Sequence, residues 1–237
     1  MSEYVIQVNS LTKVYSNISV IDNLTFKVKK NGIFGLLGRN GAGKTTLLGI
    51  LMGLITPSTG EILIFGEDIE IKKYSILKRL NFQSPYVDLP KKLTVKQNLI
   101  FYSRLYGLRN ANEFLNNLSL DLKINPLLNK YFGSLSAGQK TRVSICKALL
   151  NKPELLLLDE PTASLDPETS IFIRDYLTNY QKKNNSSILL ASHNLNEIEN
   201  MCEEIIILKA GKIMTGGKIS ELLDNKSKSL ETLFLEN

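Results

Sequence analysis

The run Gly38-Arg39-Asn40-Gly41-Ala42-Gly43-Lys44-Thr45 carries the pattern glycine, four residues, then Gly-Lys-Thr. Glycines so placed let successive backbone N–H groups turn into one concavity, and a helix that starts there adds its own unpaired N–H groups and positive dipole end. Phosphate oxygens are the natural occupant of such a cradle. Lys44 can then neutralise the outer phosphates, and the Thr45 hydroxyl is a hard oxygen ligand for Mg²⁺, so the expected ligand is a nucleoside triphosphate. A second chemical group stands downstream in Leu155-Leu156-Leu157-Leu158-Asp159-Glu160. Four leucines bury a strand, and Asp159 emerges at its carboxyl edge, where ligands of open α/β sheets bind. Asp159 is expected to hold Mg²⁺, directly or through water. Glu160, one residue on, is expected to orient or deprotonate the water that attacks the γ-phosphate.

The elements that must hold these groups can be traced along the chain. Residues 33–37 form a compact apolar run suited to a strand buried on both faces, and a helical pattern follows over 44–54, giving strand, loop and helix in order. Upstream, the segments 4–8, 14–15, 18–21 and 24–28 alternate partially between Asn, Asp and Ser punctuation and predict a β-rich layer. Thr94-Val95-Lys96-Gln97 has the form of a capping box and opens a helical insertion reaching about residue 128. A further helix is predicted from after Gly133 to Leu150, with Ser136 and Gln139 as a second capping box. Strands follow at 155–158 and 188–191. Asp166-Pro167 starts one helix, and Asn194 with Glu197 caps another. Strand and helix in alternation imply parallel strands with crossover helices. Residues 204–208 and 212–215 flank Ala210-Gly211 as a hairpin. The whole chain, 1–237, reads as one domain, with a helical lobe over about 84–150.

Composition removes several alternatives. The 237 residues are 43% hydrophobic with 9 Tyr and 9 Phe, enough to bury a core and unlike a disordered or fibrous chain. The longest stretch without charge, 45–60, is interrupted by Pro57 and is shorter than the ~20 apolar residues a membrane span needs. Met1-Ser2-Glu3-Tyr4 offers neither a basic nor an apolar region for a secretory signal, so an intracellular location is expected. Cys146 and Cys202 are too few and too far apart for a disulfide framework or a cysteine-rich zinc site. His193 is the only histidine, which excludes histidine-rich metal centres and two-histidine mechanisms. The net charge of +6 comes from dispersed lysines, without a basic block, and no nucleic-acid partner is expected.

Leu135-Ser136-Ala137-Gly138-Gln139 resembles the signature sequence of ATP-binding cassette (ABC) ATPases, with Ala137 where the family usually has glycine. The resemblance extends in order through Tyr15, the phosphate loop, Gln83, the signature, Asp159-Glu160-Pro161-Thr162, Ser164-Leu165-Asp166 and Ser192-His193. It implies an α/β P-loop NTPase core with a mixed sheet, an N-terminal antiparallel β subdomain and an inserted α-helical subdomain. It further implies that ATP is bound by Tyr15, Gly38, Arg39, Asn40, Gly41, Ala42, Gly43, Lys44, Thr45 and Thr46. Tyr15 would stack on adenine, and Thr46 would add a phosphate contact. Glu160, His193, Gln83 and Lys44 would carry hydrolysis, and Thr45, Gln83 and Asp159 would attend Mg²⁺. Ser136, Gly138 and Gln139 would reach the γ-phosphate held by a second copy, with Asp166 communicating across that interface. A head-to-tail dimer would follow, since one exposed helix end is worth only ~0.3–1 kcal/mol toward an anion. The implied partner is a separate transmembrane permease that would hold the protein at the inner face of the cell membrane. Ala191-Ser192-His193-Asn194-Leu195-Asn196-Glu197-Ile198-Glu199 with Cys202 resembles the export-type branch. An importer ATPase and a soluble ABC ATPase acting on nucleic acid or ribosomes are the alternatives.

Overall fold

The computed structural model describes residues 3–86, 88–108, 112–224 and 229–236. The N-terminal punctuation predicts four short strands, and the chain instead makes two long ones, β1 (Tyr4–Tyr15) and β2 (Ile18–Lys29), paired antiparallel. The small polar residues act as bulges rather than turns. Ser10 and Asn23 take positive φ of 49° and 52°, and the displaced backbone N–H groups donate to the hydroxyls of Thr25 (2.9 Å) and Thr12 (3.1 Å). Only Ser16-Asn17, with φ of 42° and 70°, reverses the chain, as a two-residue hairpin turn requires.

β3 (Ile33–Gly38) leads through the glycine-rich loop into α1 (Lys44–Leu51). α1 stops earlier than the periodicity predicts because Gly53, at φ 63°, closes it. The Gly53 N–H donates to Ile50 O at 2.8 Å and the Leu54 N–H to Gly49 O at 2.9 Å, the paired bonds of a Schellman cap. β4 (Thr59–Ile64), β5 (Glu67–Asp68), α2 (Ile69–Leu77) and β6 (Leu80–Gln83) come next. The helical insertion is broken into α3 (Val95–Leu105), α4 (Asn112–Asp121), two single 3₁₀ turns and α5 (Ala137–Leu149). Both predicted capping boxes form, at Thr94 with Gln97 and at Ser136 with Gln139. β7 (Leu155–Asp159), α6 (Pro167–Asn184), β8 (Ser187–Ser192), α7 (Leu195–Met201), β9 (Glu204–Lys209), β10 (Lys212–Lys218), α8 (Ile219–Asp224) and α9 (Leu230–Glu236) complete the chain.

The strands form two sheets. One is antiparallel in the order β2-β1-β4-β5; the other runs β10-β9-β3-β8-β7-β6, parallel except at its β10 edge. The second sheet separates two cores. Leu156 and Leu158 of β7, with Ile188 and Leu190 of β8, face the helices of the insertion and α6. Leu155 and Leu157, with Leu189 and Ala191, face α1 and the antiparallel sheet. Burial on both faces is why these strands read as unbroken apolar runs, and each fully covered leucine contributes about 1.5–3 kcal/mol. That packing fixes the carboxyl ends of β3, β7 and β8 side by side, where the chemical groups sit.

Candidate functional site

The loop leaving β3 is pressed between two neighbours. A Cβ at Gly43, whose φ is 107°, would lie 2.9 Å from the Val20 carbonyl oxygen of β2, and the Gly211 N–H after β9 donates to Ala42 O at 3.0 Å. No side chain fits at Gly43, so the glycine lets the backbone turn its N–H groups inward. Lys44 is buried at the start of α1. Its ammonium donates to Gly38 O at 2.6 Å and to Arg39 O at 3.4 Å, and it lies 3.4 Å from Glu160 Oε1. The Thr45 hydroxyl donates to Asp159 Oδ2 at 3.1 Å. These groups surround a cleft of about 190 Å³ lined by Val20, residues 39–41 and 43–46, Tyr86, Asp159 and Glu160.

Asp159 is buried at the end of β7. Burial pushes its carboxyl above the ordinary aspartate range, the Thr45 hydroxyl opposes that, and the charge of Glu160 adds to it. Glu160 follows in left-handed backbone, with φ 50°, and its N–H donates to Ala191 O of β8 at 2.9 Å. This kink turns the carboxylate across the top of β8. Glu160 Oε1 lies 2.8 Å from His193 Nδ1, and Glu160 Oε2 lies 3.3 Å from the Ser192 hydroxyl. Behind them Glu197 is fully buried, with Oε2 2.6 Å from Ser192 Oγ and Oε1 accepting from the Thr162 hydroxyl at 2.8 Å. Asn194 does cap α7, taking the Glu197 N–H at 3.3 Å, but the Glu197 side chain turns inward instead of back to the cap.

Gln83 ends β6 in register with Leu158, one residue before Asp159. It is buried, and both polar atoms of its side-chain amide have no hydrogen-bond partner among the described residues. Beside it lies a cavity of about 390 Å³ whose other walls include Ala137, Lys140 and Thr141 of α5 and the segment 163–165.

The structure thus brings Lys44, Thr45, Thr46, Asp159, Glu160 and His193 together and sets Gln83 next to them. It keeps the signature apart. Ser136 Oγ accepts the Gln139 N–H at 3.3 Å, Gln139 Oε1 accepts the Ser136 N–H at 3.2 Å, and Gly138 packs against Thr169 of α6. None of these three lines the cleft at Lys44, and neither does Tyr15, which is 43% exposed with the Lys13 ammonium 4.7 Å from its ring centre. Val20 and Tyr86 are absent from the sequence-based expectations, and Glu197 stands there only as the cap partner of Asn194 and as part of the export-type segment. Val20 acts through a backbone carbonyl and leaves no side-chain signal. Tyr86 is three residues beyond Gln83, in a turn whose position after a buried strand could have pointed to it. Glu197 was hidden by its helix-start position, where glutamate is ordinarily solvated.

The family profile described as "ABC transporter" matches residues 21–163. The chain belongs to the ABC transporter family. It is 36% identical over 230 residues to the bacitracin transport ATP-binding protein BcrA of Bacillus licheniformis, covering 96% of this chain and 74% of that one. It is 33% identical to the Nod factor export ATP-binding protein I of Cupriavidus metallidurans, covering 94% of this chain and 74% of the relative. The methionine import ATP-binding protein MetN of Staphylococcus haemolyticus is 30% identical, with 98% of this chain and 71% of the relative covered. A solved structure of the ATP binding subunit of an ABC transporter superposes with a TM-score of 0.88 at 28% identity, covering 98% of each chain. The protein is therefore the ATP-binding subunit of an ABC transporter and an ATPase, and the expected fold class is the observed one. Export and import both occur in the names of its relatives.

Proposed function

We propose that this ABC ATPase hydrolyses ATP with Mg²⁺ between two copies of itself and passes the motion to a separate membrane permease, in the direction of export. The arrangement of Glu160 carries the reading: its carboxylate stands at the phosphate-loop cleft, 2.8 Å from His193 Nδ1 and 3.4 Å from the Lys44 ammonium. The Thr45 hydroxyl and the Asp159 carboxylate, already 3.1 Å apart, are a hard-oxygen pair, and the unpaired Gln83 amide ends the adjoining strand β6, in register with Leu158. That donor set fits Mg²⁺, which takes few protein ligands and completes its shell with water and phosphate. Bound there, the ion would offset negative charge on the β- and γ-phosphates.

Every other part of the work falls to the chain. On nucleotide binding Lys44 exchanges the carbonyls of Gly38 and Arg39 for phosphate oxygens. Glu160 takes a proton from the attacking water, and His193 fixes the direction in which the carboxylate points. Tyr15 stacks on adenine from the carboxyl end of β1. The amino end of α5, with Ser136, Gly138 and Gln139, meets the γ-phosphate of the facing copy, because it does not reach the cleft of its own chain and because donors enclosed away from water act more strongly on developing charge. Gln83 and the helical lobe convey the state of the site to the permease. Among the described residues no helix is long and apolar enough to cross a membrane, in keeping with a span supplied by a partner. Export is favoured by the Nod factor export relative and by the segment Ala191 to Cys202; import is the competing reading because of the MetN relative.

Glu160→Gln tests the proposal. It should bind ATP as wild type does and lose steady-state hydrolysis by about a hundredfold or more, within the usual range for a positioned general base. Wild-type turnover in this variant would remove Glu160 from the role of base.

A further inference from the structure

Ser192 stands between two carboxylates. Its Oγ lies 2.6 Å from Glu197 Oε2 and 3.3 Å from Glu160 Oε2, and it accepts the Asn194 N–H at 3.1 Å. A hydroxyl has a single proton to give and two lone pairs. With both carboxylates ionised, that proton serves only one of them, and the other faces a lone pair inside the protein. One extra proton resolves the conflict, and its place is decided by what surrounds each acid. Glu160 has the Lys44 ammonium 3.4 Å away and the His193 ring beside it, so a negative charge there is compensated. Glu197 is wholly buried and has no ion-pair partner among the described residues.

We infer that Glu197 is a neutral carboxylic acid which, through Ser192, positions the Glu160 carboxylate for hydrolysis. The donors then run in one direction. The Thr162 hydroxyl donates to Glu197 Oε1, Glu197 Oε2–H donates to Ser192 Oγ, and Ser192 Oγ–H donates to Glu160 Oε2. Ser192 Oγ spends its lone pairs on Glu197 and the Asn194 N–H, so every contact is satisfied. Two-point support follows for Glu160, with His193 at one oxygen and Ser192 at the other. Glu197 is a positioning residue, since it acts through Ser192 and does not line the cleft at Lys44, and the inference rests on the reading of Glu160 as the base.

The surroundings agree with a retained proton. Burial is the largest influence raising the Glu197 carboxyl above its ordinary range, and the charge of Glu160 at the end of β7 adds to it. The hydroxyls of Ser192 and Thr162 and, more weakly, the Arg174 guanidinium of α6 act the other way. Cys202, after α7, is a buried thiol held well above its ordinary range and so uncharged. β3 and β8, packed on α7, bring no charged side chain, and α9 brings Leu230 and Leu233 to the core while its Glu231 is exposed.

The test uses the full chain as wild type, Glu197→Gln and Glu197→Ala. Glutamine has the shape of the protonated acid and a donor in the same place, so it should keep kcat within about threefold of wild type. Alanine should lower kcat about tenfold or more with KM little changed, because the loss is one of orientation. The difference infrared spectrum of wild type minus Glu197→Gln at neutral pH should show the C=O stretch of a protonated carboxylic acid. A spectrum without that band overturns the inference. So does a Glu197→Gln protein that is inactive or fails to fold, since either would mean that the charge is required, and so does an alanine variant with wild-type kcat. If Glu197→Ala does not fold, the spectrum and the glutamine variant decide. Failure of the underlying reading looks different: Glu160→Gln would then retain turnover while the band persisted.

Discussion

Replacing Lys147 with methionine should stabilise the protein at neutral pH, and the size of the gain follows from where the ammonium sits. Lys147 projects from α5 toward β6, donating to Phe82 O at 3.2 Å with the Tyr102 ring centre 5.6 Å away. Burial lowers its pKa from 10.5 to about 8. At about 1.4 kcal/mol per pH unit, keeping this charge inside costs the fold about 3 kcal/mol. Below pH 8 both the folded and unfolded chains carry the proton, so that cost is borne in full. Between pH 8 and 10.5 the unfolded chain binds more protons than the folded one, so stability rises with pH and the cost is gone above 10.5. Methionine keeps the apolar stem and removes the charge but forfeits the bond to Phe82 O, worth about 1 kcal/mol. A net gain of about 2 kcal/mol near pH 7 is expected, shrinking to a small loss above pH 10.5. Urea unfolding of both proteins across that range measures the difference, in which the titration of other groups cancels. A methionine variant less stable than wild type near pH 7, or a difference that does not change through the alkaline range, would refute the reasoning.

Two other outcomes are expected. Adding Ser136→Arg to Glu160→Gln should abolish an ATP-dependent doubling of mass in light scattering, because it places bulk at the end of α5 that is proposed to meet a second copy; doubling that survives would remove this end from the proposed interface. Gln83→Leu should raise stability to urea by about 1 kcal/mol, since it removes a buried amide whose polar atoms are unpaired, yet lower the ATPase stimulated by the permease in reconstituted vesicles; undiminished stimulation would take Gln83 out of the coupling path.

The site was legible where chemistry is written in contiguous residues. Gly38 to Thr45 and Leu155 to Glu160 each combine a buried strand with the groups that leave its end, and both lie where that pattern puts them. Capping boxes were legible for the same reason, since Thr94 with Gln97 and Ser136 with Gln139 are local contacts. What stayed hidden depended on tertiary packing. The bulges at Ser10 and Asn23 look like turns until Thr25 and Thr12 supply acceptors from the opposite strand. β4 has only half its residues apolar and becomes a strand because the free edge of β1 pairs with it. Glu197 carries the composition of a solvated first turn, and only the approach of Thr162 and Ser192 makes it a core residue.

The left-handed backbone at Glu160 puts two selective pressures in opposition. A φ of 50° disfavours a side chain by about 1–2 kcal/mol, and glycine or asparagine would be more at ease there. A library randomised at position 160 and sorted for thermal resistance alone should drift toward those residues, and the survivors would fold well without turning over ATP. Sorted for turnover, the same library should return to glutamate and accept the strain. On the proposed reading of Glu160 as the base, drift at this position would report which of the two pressures acted, with glycine or asparagine there marking selection for endurance over turnover.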